Sequence, residues 1–148
     1  NYFNCLLLES QIIIMLSTKT KYGIKALVYI AKQEAKIISI RDIAEQEHIS
    51  QKFLESILLS LKKTGIVGSK KGKTGGYYLL KDPSEISMTA VMRTLEGPIA
   101  MLPCVSLNFY EKCEDCPSEE TCSIHTVMEE LRDASLSILN SKSLKDLI

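Results

Sequence analysis

Residues 39–80 read SIRDIAEQEHISQKFLESILLSLKKTGIVGSKKGKTGGYYLL, and their reading decides the fold. Ser39 precedes Ile40, Ile43 and Ala44 with Asp42 in the first turn, which predicts a short helix capped by Ser39 and stopping near His48. Ser50 caps a second, longer helix in which Leu54, Ile57, Leu58 and Leu61 recur at helical spacing, and Gly65 supplies its stop. Two helices joined by a tight turn, the second with polar residues in its first turn, make a helix-turn-helix pattern. Residues 66–69 then read as a short strand and 77–80 as its returning partner. Between them Lys70, Lys71, Gly72, Lys73, Thr74, Gly75 and Gly76 form a flexible basic tip. A basic hairpin directly after a helix-turn-helix is a wing, able to reach a phosphate backbone or minor groove while the helix enters the major groove. An ordinary solvated hairpin is the alternative; the order helix, helix, wing favours DNA.

Working outward, Ile24, Leu27, Val28 and Ala31 mark one face of an upstream helix from about residues 17–20 to about residue 33, with Lys21, Lys25 and Lys32 on its other faces. Downstream, Pro83 ends the wing, residues 88–95 form a short helix, and Gly97-Pro98 stops it. Residues 103–121 are polar, irregular and rich in cysteine. A final helix is predicted from Cys122 or Ser123. In it Ile124, Val127, Leu131, Ala134 and Ile138 form an a/d seam that Met128, Ser135 and Leu139 widen. Such a stripe needs a partner, either its own domain or a second copy, and helix-turn-helix proteins usually read paired half-sites as two-fold dimers. The fold class expected is mainly α with a small β-hairpin wing, a winged helix-turn-helix plus a long C-terminal dimerisation helix. The divisions are an extension or expression remnant (1–14), a DNA-binding domain (15–83), a connecting helix (84–102), a cysteine-rich loop (103–121), and a dimerisation helix with its tail (122–148).

The chain has 148 residues, 45% hydrophobic and 24% charged, which is ordinary globular composition and excludes disorder as the default. No apolar run approaches the roughly 18 residues that span a bilayer. Residues 1–14 hold apolar stretches but no basic start and no small-residue cleavage site, so a cytoplasmic protein without membrane contact is expected. Net charge is zero, yet residues 17–73 carry 12 Lys/Arg against 5 Asp/Glu, and residues 74–148 carry 6 against 12. The basic half could meet a polyanion, although charge alone favours an ordinary solvated surface.

Five cysteines are present, and Cys104, Cys113, Cys116 and Cys122 fall within 19 consecutive residues; Cys5 has no assigned role. In a chain that is not secreted, clustered thiols point to metal ligation or redox chemistry rather than a disulfide framework. The spacing is Cys104-x8-Cys113-x2-Cys116-x5-Cys122-x2-His125. Thiolate and imidazole are ligands that iron–sulfur clusters and zinc prefer. Neighbouring Glu111, Glu114, Asp115, Glu119 and Glu120 raise thiol pKa values, which argues against an activated nucleophile and suits a metal cation. His125, three residues after Cys122, is either a ligand or a polar first-turn residue. Zinc is the main rival, although the second half of the spacing is not that of a standard ribbon or finger.

The chain from residue 15 to 148 resembles the Rrf-type winged helix-turn-helix transcriptional regulator family, which includes an iron–sulfur assembly repressor, a nitric-oxide sensor, an iron regulator and a cysteine-metabolism repressor. The resemblance rests on Tyr22-Gly23-Ile24-Lys25-Ala26-Leu27, Ile49-Ser50-Gln51-Lys52-Phe53-Leu54-Glu55, Lys63-Thr64-Gly65-Ile66, Gly75-Gly76-Tyr77-Tyr78-Leu79 and Cys116-x5-Cys122-x2-His125 before a long helix. It implies a homodimer with crossed C-terminal helices bound to a palindromic operator in double-stranded DNA. Carried over by position, Ser50, Gln51, Lys52 and Glu55 would face the major groove, where Glu can accept from cytosine N4. Lys71 and Gly72 would sit at the groove edge among the wing residues Lys70, Lys73, Gly75 and Gly76, and Lys21 and Tyr22 would approach the backbone. The implied cofactor is an iron–sulfur cluster, 2Fe–2S or 4Fe–4S, held by Cys104, Cys116, Cys122 and His125, with Cys113 possible. Two departures stand out. Eleven residues separate Cys104 from Cys116, longer than the family's usual interval, and Cys113 lies inside that insertion. The nitric-oxide sensor's aspartate ligand is replaced by Tyr22.

The expectation is therefore a DNA-binding regulator, a repressor tuned by a cluster that senses redox, iron or nitric oxide, and not an enzyme. No nucleophile–base pair and no phosphate loop between strand and helix is present. One rival is a cluster-free regulator with a thiol–disulfide switch or another signal. The other is a metal-carrying scaffold or assembly factor that does not bind DNA.

Overall fold

The computed structural model describes residues 16–33 and 37–148; the expected extension 1–14, with Cys5, lies outside them. Five α-helices are described: α1 (Thr18–Lys32), α2 (Ile40–Glu47), α3 (Gln51–Lys63), α4 (Met88–Leu95) and α5 (His125–Asn140). One antiparallel hairpin, β1 (Val67–Lys70) and β2 (Gly76–Leu79), follows α3. Short 3₁₀ turns occupy Pro83–Glu85, Pro103–Val105, Glu119–Thr121 and Leu144–Leu147. The mainly helical fold with a hairpin wing is the one the sequence predicts.

Serine capping sets the helix starts. The hydroxyls of Ser17, Ser39, Ser50 and Ser87 accept from the backbone N–H groups of Thr20, Asp42, Phe53 and Ala90, supplying partners that a first helical turn lacks. His48 ends α2 in the left-handed region (φ 54°), which turns the chain sharply into α3. Gly65 (φ 73°) ends α3. Its N–H donates to Lys62 O at 3.1 Å and that of Ile66 to Leu61 O at 3.0 Å, the paired bonds of a Schellman cap, and the chain passes straight into β1.

The core gathers Leu27, Ile43, Leu54, Ile57, Leu58, Leu61, Val67 and Val91, all fully buried. The buried face of α1 is Thr20, Gly23, Ala26, Leu27 and Ile30; the expected stripe Ile24, Val28 and Ala31 is half-buried along its flank. Small residues decide this. Leu95 Cδ1 lies only 2.4 Å from where a Cβ on Gly23 would sit, so α1 turns its Gly/Ala side, not its bulkiest side, into the closest helix contact.

Two further features follow from packing rather than local pattern. Ile38 pairs with Tyr77 through backbone bonds of 2.9 and 2.8 Å, so the base of the hairpin gains a third extended segment. The C-terminal tail, grouped in the sequence with the final helix, returns to the first domain: Leu144 is fully buried in the same core, and Ser143 pairs with Ser87. The final helix itself starts at His125, because Cys122 closes the preceding 3₁₀ turn by donating to Glu119 O at 3.1 Å.

Candidate nucleic-acid interface and cysteine loop

The start of α3 is held from behind and open in front. Phe53 packs edge-on to Tyr22 of α1, ring centroids 6.0 Å apart, and Leu54 is fully buried beneath. Ser50, Gln51, Lys52 and Glu55 are exposed on the opposite side, which is the arrangement a recognition helix needs, rigid backing with free polar tips. Lys21 is exposed and Tyr22 half-buried at the same end of the domain.

Across from α3, the wing residues Lys70, Lys71, Gly72 and Lys73 are exposed. Gly72 (φ 108°) makes the turn at the tip. Gly76 is needed for a different reason: a Cβ there would meet the Ile38 carbonyl oxygen at 2.2 Å, so only glycine lets the hairpin base lie against residue 38. Between α3 and the wing runs an open cleft whose charged lining is Arg41, Lys62, Lys70, Lys71 and Lys73 against Asp42 and Glu55. The cleft is cationic overall. Sequence reasoning missed Arg41 and Lys62; the only signal was their position, one at the start of α2 and one seven residues before Ser69. Lys62 Nζ donates to Ser69 Oγ at 2.7 Å and so ties α3 to the wing. Burial, then the Glu55 carboxylate, raises the pKa of the Tyr77 phenol and keeps it a hydrogen-bond donor on the cleft wall. Lys25, by contrast, is engaged with Glu47 at 2.7 Å and braces α1 on α2.

The cysteine loop lies at the other end, between α4 and α5. Cys104 is buried in the Pro103–Val105 turn, whereas Cys113, Cys116 and Cys122 are half-buried. Burial and the adjoining Cys113 thiol push the Cys104 thiol up to about 11. Burial and the neighbouring Cys122 raise Cys116, whose Sγ donates to Ser118 O at 3.2 Å. The sulfurs thus form two neighbouring pairs, Cys104 with Cys113 and Cys116 with Cys122, and Cys116 also feels Cys113. His125 stands apart from them: Nε2 is 3.6 Å from Glu119 Oε2 and Nδ1 is 3.5 Å from Glu129 Oε2.

Helix α5 grips this loop at two points. Arg132 Nη1 donates to Val105 O at 2.7 Å, next to Cys104. His125 faces Glu119, whose other oxygen accepts from Tyr110 Oη at 2.6 Å. Four thiols adjacent in pairs and partly screened from water suit a thiolate-held centre in donor chemistry. No three His, Cys, Asp or Glu side chains among the described residues are gathered round one point, so closing such a site requires the loop to draw together.

The outward face of α5 is apolar. Ile124, Val127, Leu131 and Ile138 are 51, 57, 39 and 64% exposed, with Ala134 exposed and Met128 half-buried, while Leu136 alone is buried. No helix among the described residues is long and apolar enough to cross a membrane.

Residues 16–148 match the profile of a family described as "Rrf2: Iron-dependent Transcriptional regulator". An rrf2-like HTH-type transcriptional regulator of Rhodobacter capsulatus is 38% identical over 138 residues, covering 90% of this chain and 92% of that one. The HTH-type transcriptional regulator IscR of Serratia proteamaculans is 31% identical, covering 90% and 78%. Among solved structures, CymR, titled the global cysteine regulator of B. subtilis, superposes with a TM-score of 0.71 at 30% identity, covering 90% of this chain and 95% of that one.

Proposed function

Since the chain belongs to the Rrf2 family of transcriptional regulators, and is therefore a DNA-binding regulator rather than an enzyme, we propose that it is a homodimeric repressor of a palindromic operator whose affinity is tuned by an iron–sulfur centre on the cysteine loop. The observation that carries the DNA reading is the cationic cleft between α3 and the wing, with Gln51 and Glu55 on one side and Lys70, Lys71 and Lys73 on the other. Gln51 and Glu55 read base edges, Gln by donating and accepting at adenine and Glu by accepting from cytosine. Ser50, Lys52, Lys21 and the wing lysines fix the register on phosphate. Two copies joined along the apolar face of α5 would present two such clefts to half-sites about one helical turn apart.

Cys104, Cys116 and Cys122, with Cys113 beside Cys104, are the residues that would hold the centre. When bound, an iron–sulfur centre supplies a charge and occupancy that change with redox state and iron supply. The chain's own part is mechanical. Arg132 and His125 couple the loop to α5, so drawing the loop together or releasing it alters how α5, and with it the spacing of the two clefts, is held.

The test is anaerobic purification followed by binding to a pool of palindromic duplexes at several salt concentrations. A selected palindrome, with log affinity falling steeply against log salt, supports the reading. A flat salt response with no selected palindrome overturns it in favour of a metal-carrying scaffold. A second reading drops the metal and keeps the DNA: the Cys104 thiol, whose pKa is raised by burial and by the neighbouring Cys113, suits a dithiol switch with Cys113, and a colourless protein without iron or sulfide after anaerobic reconstitution would favour it.

A further inference from the structure

We propose that the phosphate strand separating the two grooves of the operator runs through the cleft between α3 and the wing, and that Arg41, at the start of α2, grips it there. This rests on the reading that the chain binds DNA, and it adds a phosphate-binding residue on a third element, besides α3 and the wing.

A protein that sets a helix in the major groove and a hairpin tip in the adjoining minor groove straddles the sugar–phosphate strand between those grooves. The gap between helix and hairpin is where that strand lies, so the side chains lining the gap meet phosphate rather than base edges. In this chain the gap is the open cleft between α3 and the wing, and it has a third wall. The start of α2 brings Arg41 to it, alongside Lys62 of α3 and Lys70, Lys71 and Lys73 of the wing. Arg41 is exposed, and among the described residues it forms no ion pair, not even with Asp42, its neighbour on the same wall. Lys62, the other cation of the cleft outside the wing, already donates to Ser69 Oγ at 2.7 Å. Arg41 is thus the cation beyond the wing whose donors are left for a ligand.

Arg41 is also held in register with the wing. Ile38, three residues before it, exchanges backbone bonds of 2.9 and 2.8 Å with Tyr77, and Gly76 permits that approach because it has no Cβ to meet the Ile38 carbonyl. Ser39 then caps α2 by accepting from the Asp42 N–H. The first turn of α2 therefore moves with the base of the hairpin, and its guanidinium meets the strand without a loop having to be ordered first. A guanidinium donates two parallel bonds to one phosphate, a geometry that a lysine ammonium does not reproduce. Arg41 placed in this way contributes affinity and register, and no base preference.

The experiment compares the full wild-type chain with Arg41→Ala and Arg41→Lys, each checked for a native melting curve. The probes are the palindromic duplex that the wild type selects, a duplex of unrelated sequence, and copies of the palindrome in which single phosphates are replaced by neutral methylphosphonates. Arg41→Ala should bind both duplexes roughly tenfold more weakly, the loss of one charged hydrogen-bonded contact. Its salt slope should be shallower by about 0.9 per half-site. Arg41→Lys should keep the wild-type slope and recover part of the affinity. Neutralising one phosphate in each half-site, between the bases that α3 reads and the minor groove that the wing enters, should weaken the wild type and leave Arg41→Ala unaffected. Wild-type affinity and slope in Arg41→Ala overturn the proposal. So does an altered base preference at unchanged slope, which makes Arg41 a base reader, and so does equal sensitivity of wild type and Arg41→Ala to every methylphosphonate; all three leave the DNA reading standing. A wild type that binds neither duplex overturns the DNA reading and the proposal together.

Discussion

Leu144 donates its backbone N–H to the carbonyl of Ile86 at 2.8 Å, and its side chain is fully buried in the core that α1, α2 and α3 build. Four residues before Ile148, it is a structural part of the winged-helix domain. The neighbouring bond, Met88 N–H to Lys142 O at 3.0 Å, makes the contact two-ended. Leu144→Ala removes a buried side chain where the surrounding helices cannot collapse, so it should cost about 2–5 kcal/mol in urea unfolding. A loss below about 1 kcal/mol would mean that the tail packs loosely and that the domain closes without it.

Glu96 gives the pH dependence. Its carboxylate accepts from the hydroxyls of Thr20 and Ser17 and from the Ser17 backbone N–H, joining the end of α4 to the start of α1. Those bonds, the one from Thr20 first, hold the carboxyl below its ordinary value of 4.5. A lowered folded-state pKa contributes stability that is present above the unfolded value and is lost as pH falls through the folded one. Glu96→Gln should therefore cost about 1 kcal/mol at pH 7, a charge-assisted bond discounted for solvent exposure. That cost should shrink as pH falls below 4.5. Equal costs at both ends of a pH series of melting temperatures would refute the assignment.

The parts legible in the sequence are those where local pattern and packing agree. Leu54, Ile57, Leu58 and Leu61 announce α3 because helical spacing and burial coincide there, and Gly65 announces its end because the cap needs a left-handed residue. The face of α1 was legible only approximately, since Gly23 and Ala26 carry little hydrophobic signal while they permit the closest approach. Leu144 was hidden for another reason: a single leucine among polar residues has no period, and only long-range contact shows that it is core. The cysteine loop has no regular backbone, so spacing gave the chemistry of its donors but not the pairing of Cys104 with Cys113, nor the carboxylates on either side of His125.

For DNA binding, the two kinds of contact should separate experimentally. Lys71→Ala combined with Lys73→Ala should weaken binding to all sequences alike and lower the salt slope by about 0.9 for each lost phosphate contact. Gln51→Ala or Glu55→Ala should leave the salt slope nearly unchanged and relax selection at one base pair, costing about 1–3 kcal/mol on the preferred operator. Competition binding on single-base operator variants distinguishes them; a lysine variant that changes base preference would contradict the division of roles.

Gly76→Ala tests whether the wing is held by its base. The new Cβ would meet the backbone of Ile38 and must break the pairing of Ile38 with Tyr77. The expected outcome is a domain that still melts cooperatively but about 1–3 kcal/mol less stable. Hydrogen exchange of the Ile38 and Tyr77 amides should speed up, and operator affinity should fall through a misplaced tip. Unchanged protection of both amides would show that the hairpin is oriented by α3 alone, through Lys62 and Ser69.

The outward face of α5 makes the sharpest prediction about assembly. Ile138 and Val127 are more than half exposed, whereas Leu136 is buried and α5 packs on the same chain's α4 and the Pro103–Val105 turn, so the helix has an inner seat and an unpaired outer one. A charge on the outer seat leaves the inner contacts intact. Ile138→Glu should thus preserve the melting transition of the winged-helix domain while converting the protein to a monomer in sedimentation velocity. It should also lower affinity for a two-half-site operator by about 10²–10⁴, because the second cleft no longer binds at the high effective concentration that tethering provides. Affinity for a single half-site should stay the same. If half-site affinity falls equally, α5 supports the cleft itself and not the pairing of two copies.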